Sequence, residues 1–160
     1  MTELRVKVAD AAVAQGDTVL STIGLGSCVA IALHDPRLRV GGLAHILLPS
    51  EMLAQDRSNR AKFAGTAVPL LIERMKELGA RGGSLCAKIA GGASMFTSLL
   101  PAGGLQIGER NLIATRAALA GARIPILGED VGGSHGRSVY FHVSTGEVVV
   151  KSVVKGNVVL

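Results

Sequence analysis

The chain has 160 residues, a length typical of one domain, with 48% hydrophobic and 18% charged residues. Its formal net charge is +5, but the 17 lysines and arginines are scattered and aromatic residues are scarce, which disfavours nucleic-acid binding. The two cysteines form no disulfide framework, and no apolar run approaches the ~20 residues of a membrane span. We therefore predict one domain over residues 1–160, cytoplasmic, with reduced thiols, no membrane insertion and no nucleic-acid partner.

Apolar patterning predicts four strands in the N-terminal third of the chain, over residues 4–8, 18–22, 28–33 and 39–48. The run from Cys28 to Leu33 is continuously apolar, which predicts a strand buried on both faces. A short turn that begins at His34, where the side chain is expected to be solvated, predicts a hairpin with the next strand. Such a hairpin brings Cys28 and His45 toward the same end of the sheet.

The C-terminal part combines helices and strands without regular βαβ alternation. Helices are predicted over residues 59–78, which contain Pro69, and over residues 109–120, which end at Gly121. Strands are predicted over residues 84–90, 124–127, 138–143 and 147–154. This order predicts an α/β (α+β-like) fold in which a mixed sheet, or a pair of sheets, is covered by two main helices.

The small-residue turn before Cys28 is the most informative chemical feature. Gly24, Gly26 and Ser27 precede the cysteine, so there is room for a substrate beside the backbone, and N–H groups are free to bind an oxyanion. A cysteine becomes an effective nucleophile when a neighbour takes its proton or stabilises its thiolate. Residue spacing alone leaves two interpretations open, since a free cysteine is also commonly a small core residue.

His45 is the candidate base for Cys28, although a lone histidine between apolar neighbours is more often a core residue. His135, in a glycine-rich loop, and His142, on a strand, are rival bases. Cys86 fits an inert core position. The spacing of cysteines and histidines gives no zinc motif, and the glycine turn matches neither a phosphate loop nor a dinucleotide fingerprint. We therefore expect no metal and no cofactor.

Two segments closely resemble the chemoreceptor glutamine deamidase CheD family. They are Thr22-Ile-Gly-Leu-Gly-Ser-Cys28-Val-Ala and Gly42-Leu-Ala-His45-Ile-Leu-Leu-Pro49. Further matching motifs follow in order along the chain. They are Ala67-Val-Pro-Leu-Leu-Ile72, Lys88-Ile-Ala-Gly-Gly-Ala-Ser-Met95, Ile107-Gly-Glu-Arg-Asn111, Glu129-Asp-Val-Gly-Gly133 and Gly136-Arg137. Several ordered motifs are far more specific than one Cys/His pair.

The resemblance implies a bacterial chemotaxis enzyme that hydrolyses selected receptor glutamine side chains to glutamate, and it implies an α/β sandwich fold. It assigns the family's catalytic Cys, His and Thr to Cys28, His45 and Thr22. The implied partners are the cytoplasmic domains of chemoreceptors, as substrates, and a CheC-type phosphatase. In the expected mechanism a Cys28 thiolate attacks the amide carbon, and the His45 imidazolium protonates the departing ammonia. Thr22 accepts a hydrogen bond from the other imidazole nitrogen.

Two other functions stay open at this point. One is a non-catalytic regulatory module that binds chemotaxis proteins and retains the cysteine. The other is a thiol hydrolase with a different acyl substrate. Ammonia release from a receptor fragment separates the deamidase from the regulatory module, and the absence of peptide cleavage argues against the other hydrolase.

Overall fold

The candidate site is positioned by two mixed β-sheets and two helices. The computed structural model describes residues 1–94 and 106–160. The strands are β1 (Thr2–Arg5), β2 (Ala11–Gln15), β3 (Thr18–Leu25), β4 (Val29–Asp35), β5 (Val40–Ile46), β6 (Cys86–Gly91), β7 (Ile126–Val131), β8 (Arg137–His142), β9 (Val148–Ser152) and β10 (Gly156–Val159). The helices are α1 (Ala64–Glu77) and α2 (Ile107–Gly121).

The two sheets pack face to face, and the helices cover the second one. The first sheet has the order β1-β3-β8-β9-β10, and the second has the order β2-β5-β4-β6-β7. One apolar cluster joins the helices to the second sheet, and its members include Val68 of α1, Leu119 of α2 and Ile31 of β4. The other cluster lies between the sheets, where Phe141 packs with Ala32. The predicted fold class, a pair of mixed sheets with two main helices, is therefore confirmed.

Strand β4 is buried along its whole length, as its continuous apolar run predicts. It pairs with β5 in antiparallel orientation with Ala30 opposite His45, which confirms the predicted hairpin. The solvated position predicted for His34 is wrong, because β4 continues through this residue and packing covers its side chain, which is 7% exposed. His34 Nε2 lies 2.7 Å from the Val143 carbonyl oxygen.

Several other boundaries differ from the sequence prediction. Strand β2 was not predicted, because its alanine-rich sequence lacks the β-branched and aromatic residues that mark strands. The short strand β10 was also not predicted. Helix α1 begins at Ala64, after a 3-10 turn over Arg60–Lys62, and it includes Pro69 in its second turn.

Within the described residues, neither α1 nor α2 is long and apolar enough to cross a membrane. Met95, the last residue of one matched motif, lies outside the described residues.

Candidate active site

Thr22 on β3 and His45 on β5 meet where the two sheets face each other, and both residues are fully buried. Thr22 Oγ1 lies 2.6 Å from the Val6 carbonyl oxygen and 2.7 Å from His45 Nδ1. A hydroxyl has one proton and the carbonyl can only accept, so Thr22 donates to Val6 and accepts from the Nδ1–H group. The contact therefore fixes neutral His45 in the tautomer that carries its proton on Nδ1, which leaves a lone pair on Nε2.

The chain leaves β3 through an irregular segment just after Thr22. The register with β8 shifts between Thr22 and Leu25, and Gly24 in this segment has φ +75°. Ile23 is 49% exposed, although the residues before it are buried. Bulges of this kind bend a strand and are frequent beside active sites, and a positive φ favours glycine. The bend carries the chain from the buried strand to the turn that precedes Cys28.

Cys28 lies directly before β4, and it is 7% exposed. It belongs to the cluster between the sheets together with Ala30, so both side chains lie on the face of β4 that meets the first sheet. Because Ala30 is opposite His45, Cys28 occupies a diagonal position, and such positions are about 7–8 Å apart between backbones. His45 Nε2 is buried and has no hydrogen-bond partner among the described residues. Catalytic hydrogen bonds are often long or unformed before the substrate binds.

Burial drives both groups toward their neutral forms. It raises the pKa of the Cys28 thiol, an effect that a hydrogen bond with the residue's own backbone N–H offsets in part. It lowers the pKa of His45 to about 4. Near neutral pH these shifts favour a thiol and a neutral imidazole in the protein without substrate. His45 Nε2 can then accept the thiol proton as attack begins.

The carbonyl groups of Gly26, Ser27 and Cys28 all accept hydrogen bonds from other parts of the fold. The Gly26 carbonyl accepts a hydrogen bond from the Ala93 N–H at 2.9 Å, and the Cys28 carbonyl accepts one from the Gly92 N–H at 2.8 Å. The Ser27 carbonyl accepts one from helix α2 at 2.9 Å. In a trans peptide the N–H points away from the C=O, so the Ser27 N–H points away from Ala93 and the Cys28 N–H points away from Asn111. Neither donates to another residue within the described ranges, so both can bind an oxyanion.

Gly91 allows this close approach between β6 and the turn. Its φ is +106°, and a Cβ atom there would collide with the Cys28 carbonyl oxygen. The residues that follow Gly91, Gly92 and Ala93, form hydrogen bonds with the Cys28 turn. Glycine is required here because of both the backbone conformation and the space.

A family model described as CheD chemotactic sensory transduction matches residues 47–152. The chain belongs to the CheD family. A protein of Caldanaerobacter subterraneus subsp. tengcongensis named "Probable chemoreceptor glutamine deamidase CheD" is 47% identical over 153 residues, which cover 96% of this chain and 94% of that protein. A protein of the same name from Clostridium botulinum is 44% identical over 94% of this chain and 93% of its own length. The first alignment covers nearly the whole chain, so it includes the segment from Thr22 to His45.

Among solved structures, the crystal structure of the Bacillus licheniformis hypothetical protein YfiH is similar to this chain with a TM-score of 0.44. The two chains are 17% identical, and the match covers 78% of this chain and 50% of the other. This likeness is too distant to assign either fold or function. The membership in the CheD family therefore depends on the sequence matches alone.

The two rival histidines lie outside the Thr22–His45 contact. His142, on β8, is opposite Val19, which is three residues before Thr22 on β3. His135 lies in the loop before β8 and lines a surface cleft together with Gly24. Within the described part of the chain, neither forms a hydrogen bond with Cys28 or with Thr22.

A cavity of about 200 Å³ lies at the other end of β4, with His34, Cys86 and Lys88 among its lining residues. Its polar groups already have structural partners. His34 Nε2 lies against a backbone carbonyl, and Lys88 Nζ donates to two backbone carbonyls at 2.9 and 2.8 Å. Cys86 is half-buried, so the core position predicted for it is wrong, because β6 begins at this residue beside the cavity. Nothing in this cavity resembles a nucleophile with a free base.

One buried polar residue near the site was matched to a family motif but given no role by the sequence. Asn111 of α2 is fully buried and reaches the Cys28 turn. The available signal was its spacing, because Asn111, Thr115 and Leu119 follow at intervals of four and lie on the buried face of α2. A polar side chain on a buried helix face needs hydrogen-bond partners from the elements that it packs against. Its position therefore indicates a specific contact with another part of the fold.

Proposed function

We propose that this chain is a protein-glutamine deamidase that converts selected glutamine side chains of chemoreceptors to glutamate. The names of its close relatives support the activity and the substrate class. The observation that carries the proposal is the Thr22–His45 hydrogen bond, which leaves the Nε2 lone pair of His45 free on the face where Cys28 lies. Cys28 is the nucleophile, His45 is the general base and acid, and Thr22 orients the imidazole.

The reaction proceeds through a thioester. Cys28 Sγ bonds to the amide carbon of the glutamine side chain as His45 Nε2 takes the thiol proton. The resulting imidazolium gives this proton to the amide nitrogen, the C–N bond breaks and ammonia leaves. Nε2 then deprotonates a water molecule, whose oxygen bonds to the thioester carbon; the C–S bond breaks, and the proton returns from Nε2 to Sγ. The sum is an amide and water converted to a carboxylic acid and ammonia.

The backbone of the Cys28 turn supplies the charge stabilisation. The amide oxygen becomes an oxyanion in both tetrahedral intermediates. The N–H of Cys28, with that of Ser27 as the second donor, donates to no other residue within the described ranges and binds this oxyanion. One such donor is typically worth roughly 3–4 kcal/mol of transition-state stabilisation.

Access to the site favours a side-chain amide over a peptide bond. Cys28 is 7% exposed and His45 is fully buried, so the reacting atoms lie below the surface. A glutamine carries its amide at the end of a flexible chain that can enter a narrow opening. A main-chain peptide group of a folded receptor helix cannot approach as closely, which supports deamidation without proteolysis.

The proposal is tested by incubating a receptor cytoplasmic fragment with the protein and measuring released ammonia. The wild-type protein should release ammonia, Cys28→Ala should release none, and the matched variant Cys86→Ala should keep the wild-type rate. A wild-type protein that binds the fragment without releasing ammonia would instead be a regulatory module. Peptide cleavage would contradict the narrow-access argument.

Two further expectations stay predictions. A CheC-type phosphatase is the partner that the family resemblance implies, and inhibition of deamidation by such a phosphatase would support it. A cytoplasmic location follows from the proposal, because the enzyme must share a compartment with the cytoplasmic domains of receptors.

A further inference from the structure

Asn111 of helix α2 connects the two backbone segments that carry Cys28 and His45. Its Nδ2 donates to the Ser27 carbonyl at 2.9 Å and to the Leu47 carbonyl at 3.1 Å. Ser27 directly precedes Cys28, and Leu47 follows His45 by two residues. Ser27 lies just before β4 and Leu47 just after β5, so the two carbonyls flank the open end of the β4–β5 hairpin. The Asn111 carboxamide therefore holds the backbone beside Cys28 and the backbone beside His45 at the same time.

The bond to Ser27 acts on a specific peptide group. The Ser27 carbonyl and the Cys28 N–H belong to the same planar trans peptide, so an anchor on the oxygen sets the direction of the N–H. That N–H is one of the two proposed oxyanion donors. A donor bound to the carbonyl also polarises the peptide, which strengthens its N–H as a hydrogen-bond donor.

The carboxamide can lie in only one orientation. If it were flipped, its oxygen would face two carbonyl acceptors, so the amino group must point to them. Its oxygen Oδ1 is buried and has no hydrogen-bond partner in the described residues. An unpaired buried oxygen is unfavourable for stability, so any favourable contribution of this carboxamide comes from its two donated hydrogen bonds.

We infer that Asn111 is a positioning residue that holds the Ser27–Cys28 peptide so that the Cys28 N–H faces the oxyanion, an inference that rests on the proposed deamidase function. Asn111→Ala removes both donated bonds and frees this peptide to rotate. The chemistry that needs an oxyanion is then impaired, while the Cys28 thiol and the Thr22–His45 contact stay in place. Asn111 itself touches no reacting atom.

The test compares two reactions of the same thiol in the full chain. Acyl transfer passes through an oxyanion, whereas alkylation by iodoacetamide does not. For Asn111→Ala we expect kcat for deamidation of a receptor fragment to fall about 10–100-fold with KM little changed, because an oxyanion donor is misplaced. The alkylation rate of Cys28 should stay within about twofold of wild type, since no oxyanion forms. Acylation of Cys28 by p-nitrophenyl acetate should fall in parallel with deamidation.

The matched control is Thr115→Val, one helical turn along the same buried face. Thr115 is fully buried and its hydroxyl has no partner among the described residues, so this change removes a polar group without touching the turn. It should leave both reactions unchanged. Asn111→Ser has a short hydroxyl that cannot reach both carbonyls, so it should also lose acyl transfer while its alkylation rate is unchanged. It replaces the alanine variant in the test if that variant does not fold.

The outcomes separate this inference from the proposed function. If the wild-type protein does not deamidate receptors but p-nitrophenyl acetate acylation still falls selectively in Asn111→Ala, the inference stands and the receptor function fails. Equal loss of acylation and alkylation would show a merely structural role and overturn the inference. Unchanged acylation, or no acylation of wild-type Cys28, would overturn it too.

Discussion

Thr22 Oγ1 accepts a hydrogen bond from His45 Nδ1 at 2.7 Å, across the interface of the two sheets, while its own proton is donated to the Val6 carbonyl. The tautomer of a residue in one sheet is thus set by a residue in the other. A neutral hydroxyl stabilises an imidazolium less than a carboxylate does, and burial lowers the pKa of His45 to about 4. Both features favour a neutral imidazole at His45.

Thr22→Val should impair activity more than binding. The change leaves the Nδ1–H and the Val6 carbonyl buried without their partner, and each unsatisfied group costs about 1–3 kcal/mol. Without the contact to Thr22, the His45 imidazole also loses its fixed orientation. This should lower kcat by about 10–100-fold, at 1.36 kcal/mol per factor of ten, with KM little changed. Steady-state deamidation kinetics on a receptor fragment measure this effect.

Thr22→Ser is the control for the hydroxyl, because it keeps the oxygen and removes only a methyl group. It should restore kcat to within a fewfold of wild type. If Thr22→Val and wild type had equal kcat values, Thr22 would have no role in orienting the imidazole.

The stability of the protein should decrease as the pH falls from 6.5 toward about 4, the interval between the ordinary and the lowered pKa of His45. In this interval the unfolded chain binds a proton on His45 and the folded protein does not, so the free energy of unfolding rises with pH. At 1.36 kcal/mol per unit the contribution is roughly 3 kcal/mol. Denaturant titrations at a series of pH values measure it.

His45→Gln should reduce this pH dependence without removing it. Burial also lowers the pKa of His34, which therefore contributes in the same direction. A variant with the same slope as wild type would show that His45 is already protonated, or solvated, in the folded protein.

The alkylation of Cys28 should depend on pH as expected for a buried thiol. Burial raises the pKa of Cys28 above the ordinary value of 9.0, so the thiolate fraction grows only in alkaline solution. In a Cys86→Ala background, the rate of reaction with iodoacetamide should rise through a midpoint above 9.0. A rate that reaches its plateau at or below neutral pH would indicate a preformed thiolate–imidazolium pair.

Gly91→Ala should destabilise the fold and lower activity. The new Cβ would collide with the Cys28 carbonyl, and the φ of +106° is strained for alanine, at about 1–3 kcal/mol from the backbone alone. Gly16→Ala is the matched control, since Gly16 also has a positive φ but its Cβ would meet open space. Thermal unfolding should show a larger loss for Gly91→Ala, and only this variant should lose kcat. Equal losses of thermal stability and of kcat in the two variants would mean that the Cys28 turn can move to accept a Cβ atom at residue 91 without harm.

The sequence predicted the part of the site that is formed by residues close together along the chain, in a single hairpin. The continuous apolar run after Cys28 and the short turn beyond it were enough to place Cys28 and His45 at one end of a hairpin. The partnership of Thr22 with His45 came from the family resemblance, because it depends on how two sheets pack. No spacing along the chain encodes that packing.

Other differences have the same physical origin. His34 was expected in solvent because Asp-Pro follows it, but a central strand covered on both sides extends past it. The pKa directions at Cys28 and His45 follow from burial, which a single sequence does not give. The contact of Asn111 with Ser27 joins residues 84 positions apart, so only the folded chain brings it into view.

Mass spectrometry of a receptor cytoplasmic domain, after incubation with wild-type, Cys28→Ala or Cys86→Ala protein, tests the central claim most directly. We expect the wild-type and Cys86→Ala proteins to convert the same glutamines to glutamates with no cut in the backbone. Cys28→Ala should leave every glutamine intact. Conversion of those glutamines by Cys28→Ala at the wild-type rate would contradict the assignment of Cys28 as the nucleophile.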